Sequence, residues 1–195
     1  MKKLALVVLA ACGSRPVSAP VLPADPAARG QAAWATPAGW KSETIPFPIE
    51  FAPLLLHRGV EELRFAPGMF DPAKPGYWSY AFVWRVEDPT VLDAPALARE
   101  LTGYYQGLIA AVDTKERITA RDEIVVRAEP DGAAFTLTAH IFDAFTTARP
   151  LDLTGWAART PCGDGALWVF VLAPPTSPVR AELDALAHAA TCAQP

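Results

Sequence analysis

The chain has 195 residues, with 21 acidic and 17 basic side chains, three histidines and a formal net charge of −4. That length suits one domain with a sizeable core. The acidic balance and the lack of any Lys/Arg cluster argue against nucleic-acid binding, which needs concentrated basic side chains to neutralise phosphate.

In chain order, Met1-Lys2-Lys3 is a short positive segment and Leu4 to Ala11 reads LALVVLAA. This apolar run is far short of the about 20 residues that span a bilayer, and it has the layout of an export signal. It ends in Leu9-Ala10-Ala11-Cys12. The ending resembles the lipobox of bacterial lipoproteins. The resemblance implies cleavage after residues 1–11 and a lipid on the Cys12 thiol, which would tie the chain to a membrane. The alternative is an ordinary secretory signal with an incidental cysteine. At ~0.8 kcal/mol per buried methylene, two or more acyl chains make such an anchor effectively permanent. Gly13 stands where an Asp would mark inner-membrane retention, so the analogy with other lipoproteins points to the outer membrane. Loss of residues 1–11 leaves 15 basic and 21 acidic side chains.

Residues 12–38 are rich in Pro, Ala, Gly and Ser and poor in large apolar side chains. They cannot bury enough surface to offset their ordering entropy, and they read as a disordered tether. At ~3.1 Å per residue its reach is about 80 Å at most. Trp34 is the exception, expected to rest on the domain or on lipid headgroups.

A single α+β domain is expected over 39–195. Its first part is an irregular arm punctuated by Pro46, Pro48, Pro53 and Pro67, which rules out long central strands there. Within it, Glu61 to Phe65 suits a short strand. Tyr77 to Val86 alternates, with Trp78, Tyr80, Phe82 and Trp84 on one face. Ala94 to Val112 shifts to helical spacing behind a capping Asp93. Two strands, 124–129 and 134–142, flank a turn at Glu129-Pro130-Asp131-Gly132. Two more follow at 151–158 and 166–172. The last, ALWVFVL, is apolar on both faces and belongs at the sheet's centre. A final helix carries Val179, Leu183 and Leu186, with Ser177 as its cap. The expected architecture is a twisted, mainly antiparallel sheet of about five strands with both helices on one face.

The blocks Gly39-Trp40-x-x-Glu43-x-Ile45-Pro46-Phe47-Pro48, Phe65-Ala66-Pro67-Gly68-Met69-Phe70, Tyr77-Trp78-Ser79-Tyr80-Ala81-Phe82-Val83-Trp84 and Tyr104-Tyr105-x-Gly107-Leu108 resemble a family of uncharacterised exported bacterial proteins. That resemblance implies a grouping and no chemistry.

With Cys12 lipidated, Cys162 and Cys192 form an even pair in an oxidising compartment, and a disulfide is the simple expectation. The alternative makes Cys162, in a Gly-rich turn, a nucleophile. The best catalytic candidates are His140 and Asp143, three apart at a strand end, joined by His57 from the arm. The competing reading is a solvent-facing His and a turn-opening Asp. Glu43 and Arg64 read as an ion pair closing the arm over the sheet. Gly103 and Gly107 make a smooth groove on the first helix, for packing against the aromatic strand or for a ligand or partner helix. There is no Gly-x-Ser-x-Gly, P-loop, Gly-x-Gly-x-x-Gly or His-Glu-x-x-His. No cofactor and no metal are implied. The expected role is a membrane-anchored, non-catalytic domain that binds an envelope protein or glycan. The alternative is an envelope hydrolase at His140 and Asp143.

Overall fold

The computed structural model describes residues 32–89 and 91–193. The export segment and Cys12 therefore lie outside the described residues. Seven strands form one antiparallel sheet. They are β2 (Lys41–Pro46), β3 (Gly59–Phe65), β4 (Tyr80–Val86), β5 (Val125–Asp131), β6 (Ala134–Phe142), β7 (Pro150–Cys162) and β8 (Gly165–Ala173). Their order is β2-β3-β4-β8-β7-β6-β5. Two meanders thus meet where β4 pairs with β8, Phe82 opposite Phe170 and Trp84 opposite Trp168. β8 holds the middle place and is buried along its whole length, as its two-sided apolar pattern requires.

The sheet has seven strands, not about five: the expected short strand at Glu61–Phe65 is β3, a full member of the sheet between two neighbours, and β2, which was not expected, adds an edge. The arm's prolines do not prevent this. Pro46 closes β2, Pro48 and Pro53 fall in the connection to β3, and Pro67 follows β3, so none interrupts a ladder. The fold also starts earlier than expected. Ala32–Ala33 is a strand, β1, paired with β9 (Thr191–Cys192). Trp34 lies over the Arg64 guanidinium, 4.3 Å from the ring centroid. Ala32 and Trp34 thereby rest on the domain. An Arg–Trp contact and a buried backbone donor held by Glu62 offset their ordering.

Helix α1 (Ala94–Val112) matches its sequence pattern. The Asp93 carboxylate accepts from the Ala96 amide at 2.8 Å, and Leu97, Leu101, Tyr104 and Ile109 are buried. Helix α2 (Arg180–His188) buries Leu183, Leu186 and Ala187. Ser177 does not cap it; its hydroxyl shares a hydrogen bond with Ser79 at 2.8 Å.

The two helices lie on opposite faces of the sheet, not on one. α1 closes a cluster containing Phe82, Trp84, Trp168 and Phe170. α2 closes a second with Ala81, Val83, Val169 and Val171. Period-two alternation sends successive residues of β4 and β8 to opposite sides. Both strands are apolar on both sides, so each side needs a cover. Cys162 and Cys192 meet at disulfide distance, with Cα atoms 5.7 Å apart, and join the end of α2's connection to the β7–β8 turn. No helix among the described residues is long and apolar enough to cross a membrane.

Candidate functional site

The three candidate catalytic residues are not brought together; each has its own partners. His140 sits on β6 directly across from Asp152 on β7, its Nδ1 2.7 Å from that carboxylate. Asp143 is buried in the loop after β6. It accepts from the Tyr77 hydroxyl at 2.7 Å, the Trp78 indole at 3.1 Å and the amides of Thr146 and Thr147. Burial pushes its pKa up, but donors from Thr146, Tyr77 and Thr147 outweigh this and hold it well below the usual carboxylate range. Such a carboxylate ties one loop to another and is a poor proton acceptor. His57 lies between Glu100, 2.8 Å from Nε2, and Asp88, 3.3 Å from Nδ1. Burial lowers its pKa, and the two carboxylates together raise it further, for a net increase. Among the described residues no three His, Cys, Asp or Glu side chains are placed to hold a metal ion.

The Glu43–Arg64 pair does not form either. Arg64 stands opposite Ser42 and Glu43 opposite Leu63, so the two point to different faces. Arg64 instead pairs with Glu62 at 3.3 Å. Gly107 packs closely, but against the arm's backbone and not the aromatic strand. A Cβ there would come within 1.8 Å of the Phe51 carbonyl oxygen. No atom of this kind approaches Gly103.

What the fold does assemble is an apolar cavity of about 270 Å³ on the α1 face. One wall is Ile45 of β2 with Leu63 and Phe65 of β3. Tyr104, Leu108 and Val112 of α1 form the roof, since Tyr104 and Leu108 are i, i+4 neighbours on one side of the helix. Met69, Phe70 and Trp78 enter from the loop between β3 and β4, and Phe145 from the loop after β6. Phe70 and Phe145 meet edge to face, 4.9 Å between centroids, and both stay partly exposed beside the opening. Trp78 takes φ +46°, a conformation rare for a bulky residue. The Asp143 carboxylate holds its indole there. Asp143 thus contributes to the cavity as a positioning group. Seven of the fourteen lining residues are aromatic and one, Glu43, carries a charge, so the space suits hydrocarbon.

Behind Tyr104 lies a buried polar group. Glu61 is fully buried, its Oε1 accepting from the Trp84 indole at 2.9 Å and its Oε2 from the Tyr104 hydroxyl at 3.3 Å. Burial, reinforced by the nearby Glu43 charge, pushes its carboxyl up to about 8 against the relief of the two hydrogen bonds. At neutral pH it is mostly protonated. The Tyr80 and Tyr105 hydroxyls share a hydrogen bond beside it. Burial is the main reason that the phenols of Tyr80, Tyr104 and Tyr105 all titrate above their ordinary value.

Sequence reasoning missed this site. A signal was present: Glu61 falls in alternation with Leu63 and Phe65, an acid on an apolar face.

No known protein family's model matches the chain, and no curated protein matches it. Among solved structures there is an overlap with LpqN, described as involved in cell envelope biogenesis of Mycobacterium tuberculosis. It covers 88% of this chain and 87% of that one, at 11% identity and a TM-score of 0.33. Agreement at that level carries no argument about fold or activity.

Proposed function

We propose that this chain is an exported lipoprotein of the bacterial envelope, anchored through Cys12, whose domain is a non-catalytic binding module. Its ligand is an apolar molecule or tail held in the cavity under α1. The cavity carries the reading. At about 270 Å³ it is nearly twice the ~150 Å³ apolar space known to take up benzene, enough for a ring or a short chain. Its wall offers few polar partners, so a glycan's hydroxyls would be left without hydrogen bonds there. The lipobox and Gly13 support the anchor and the outer membrane.

The binding claim is tested on the full-length chain carrying Cys12→Ser, which removes the lipid acceptor. Calorimetric titration with decanol is expected to give saturable one-to-one binding. Ala111→Phe, which fills the cavity from α1, is expected to weaken it at least tenfold. Decanol that fails to bind, or binds equally well to the filled variant, would overturn the reading. The anchor is tested in the cell. Cys12→Ser is expected to abolish acyl labelling and detergent partitioning, and a variant that still partitions into detergent defeats the lipid assignment.

A further inference from the structure

We propose that the cavity selects a cationic amphiphile, its hydrocarbon tail inside and its ammonium head at the mouth against Glu43 and the Phe70 ring. This rests on the binding reading above and adds the charge of the ligand. Three observations carry it.

The first is the sign of the mouth. Glu43 is the one charged residue that lines the cavity, and among the described residues it makes no hydrogen bond or ion pair. It stands opposite Leu63 while Ile45 stands opposite Glu61, so both acids project to the cavity face. Lys41, two residues along β2, is a cation on that face.

The second is the state of the donors. An anionic head needs free N–H or O–H groups. Tyr104 already donates to Glu61, and the Tyr80 hydroxyl is engaged with Tyr105. The Trp78 indole is committed to Asp143. What remains at the mouth is the Glu43 acceptor and, on the rim, the Lys41 ammonium seated over the Phe70 ring, which a ligand cation must displace.

The third is the aromatic rim. The Lys41 ammonium rests 5.9 Å from the Phe70 centroid, so the chain's own side chain already uses a cation–π seat there. A ligand ammonium can take that seat, with Glu43 supplying the countercharge.

The test uses the full-length Cys12→Ser chain and three probes with the same tail: decyltrimethylammonium, decanol and decanoate, each below its micelle concentration. The cation is expected to bind at least tenfold more tightly than decanol, and decanoate more weakly than either. Added salt should erode the cation's advantage alone. Glu43→Gln should cut the cation-to-decanol affinity ratio about tenfold, and Lys41→Gln, which clears the rim, should raise it. Decanol binding as tightly as the cation, or a ratio indifferent to Glu43→Gln, would overturn the charge selection and leave the cavity reading standing. Failure of all three probes to bind would remove both.

Discussion

Glu61 and Glu62 are neighbours in β3, both buried, and the two faces of the sheet accommodate them differently. On the α2 face Glu62 keeps a cation beside it: Arg64 pairs with it, the Ala32 amide donates to it at 2.7 Å and the Trp34 indole at 3.2 Å. On the α1 face Glu61 has two neutral donors and no cation, and burial keeps it protonated. The faces also differ in bulk. Ala81, Val83 and Val171 let α2 seat closely, whereas the rings of Phe82, Trp84 and Phe170 stand under α1. Large rings fill space in coarse steps, and an unfilled remainder persists where helix, loop and sheet edge diverge. Both faces keep a pocket: one of about 390 Å³ beside α2 has Trp156, Val169 and His188 in its lining, while the one under α1 is lined almost wholly by apolar side chains.

The sharpest break of this comparison is chemical. Because the folded state keeps the Glu61 proton that the unfolded chain releases, stability should fall as pH rises from about 4.5 to about 8, and level off above. The total is of the order of 5 kcal/mol. Glu61→Gln should flatten that slope in denaturant titrations run across the range. An unchanged slope would assign it to other groups.

Next in size, Trp84→Ala should lower stability by about 3–5 kcal/mol, as read from the urea midpoint. The ring is fully buried and also donates to Glu61. A loss under about 1 kcal/mol would mean that the α1 face does not depend on its rings.

Breaking the staple on the other face should cost less. Cys162→Ser and Cys192→Ser are each expected to destabilise by about 3–4 kcal/mol, for a closed loop of 30 residues. The two should match, and decanol affinity should not change if the faces act separately. A freely alkylatable Cys162 in protein from an oxidising compartment would contradict the pairing.

The smallest effect has opposite signs at two glycines of one helix. Gly103→Ala should raise stability by up to about 1 kcal/mol, since its side chain would meet nothing. Gly107→Ala should lower it, because the new Cβ would strike the Phe51 carbonyl. Equal melting temperatures would mean that the arm does not cross α1 so closely.

Local pattern carried much of the fold. The spacing of Leu97, Leu101 and Tyr104 gave α1, and ALWVFVL gave the central place of β8. Alternation placed Tyr80, Phe82 and Trp84 on one face correctly. The expectation of both helices on one face fails, because strands apolar on both faces need a cover for each. β2 was hidden because its residues are mostly exposed and prolines surround it. The cavity has no local pattern at all. Its wall comes from β2, β3, α1 and two loops, and only their convergence creates it. For His140 and Asp143 the sequence supplied proximity along the chain, while the fold gave each a different partner.

The β1–β9 ribbon has a mechanical consequence. Ala32 pairs with Cys192, so the point where the chain enters the domain is stitched to its far end and, through Cys162, to the β7–β8 hairpin at the middle of the sheet. Tension arriving along the chain ahead of Ala32 is therefore carried into the stapled α2 face. The cavity and α1 stand outside that force path, so under the proposed anchoring a pull from the membrane need not reach the pocket.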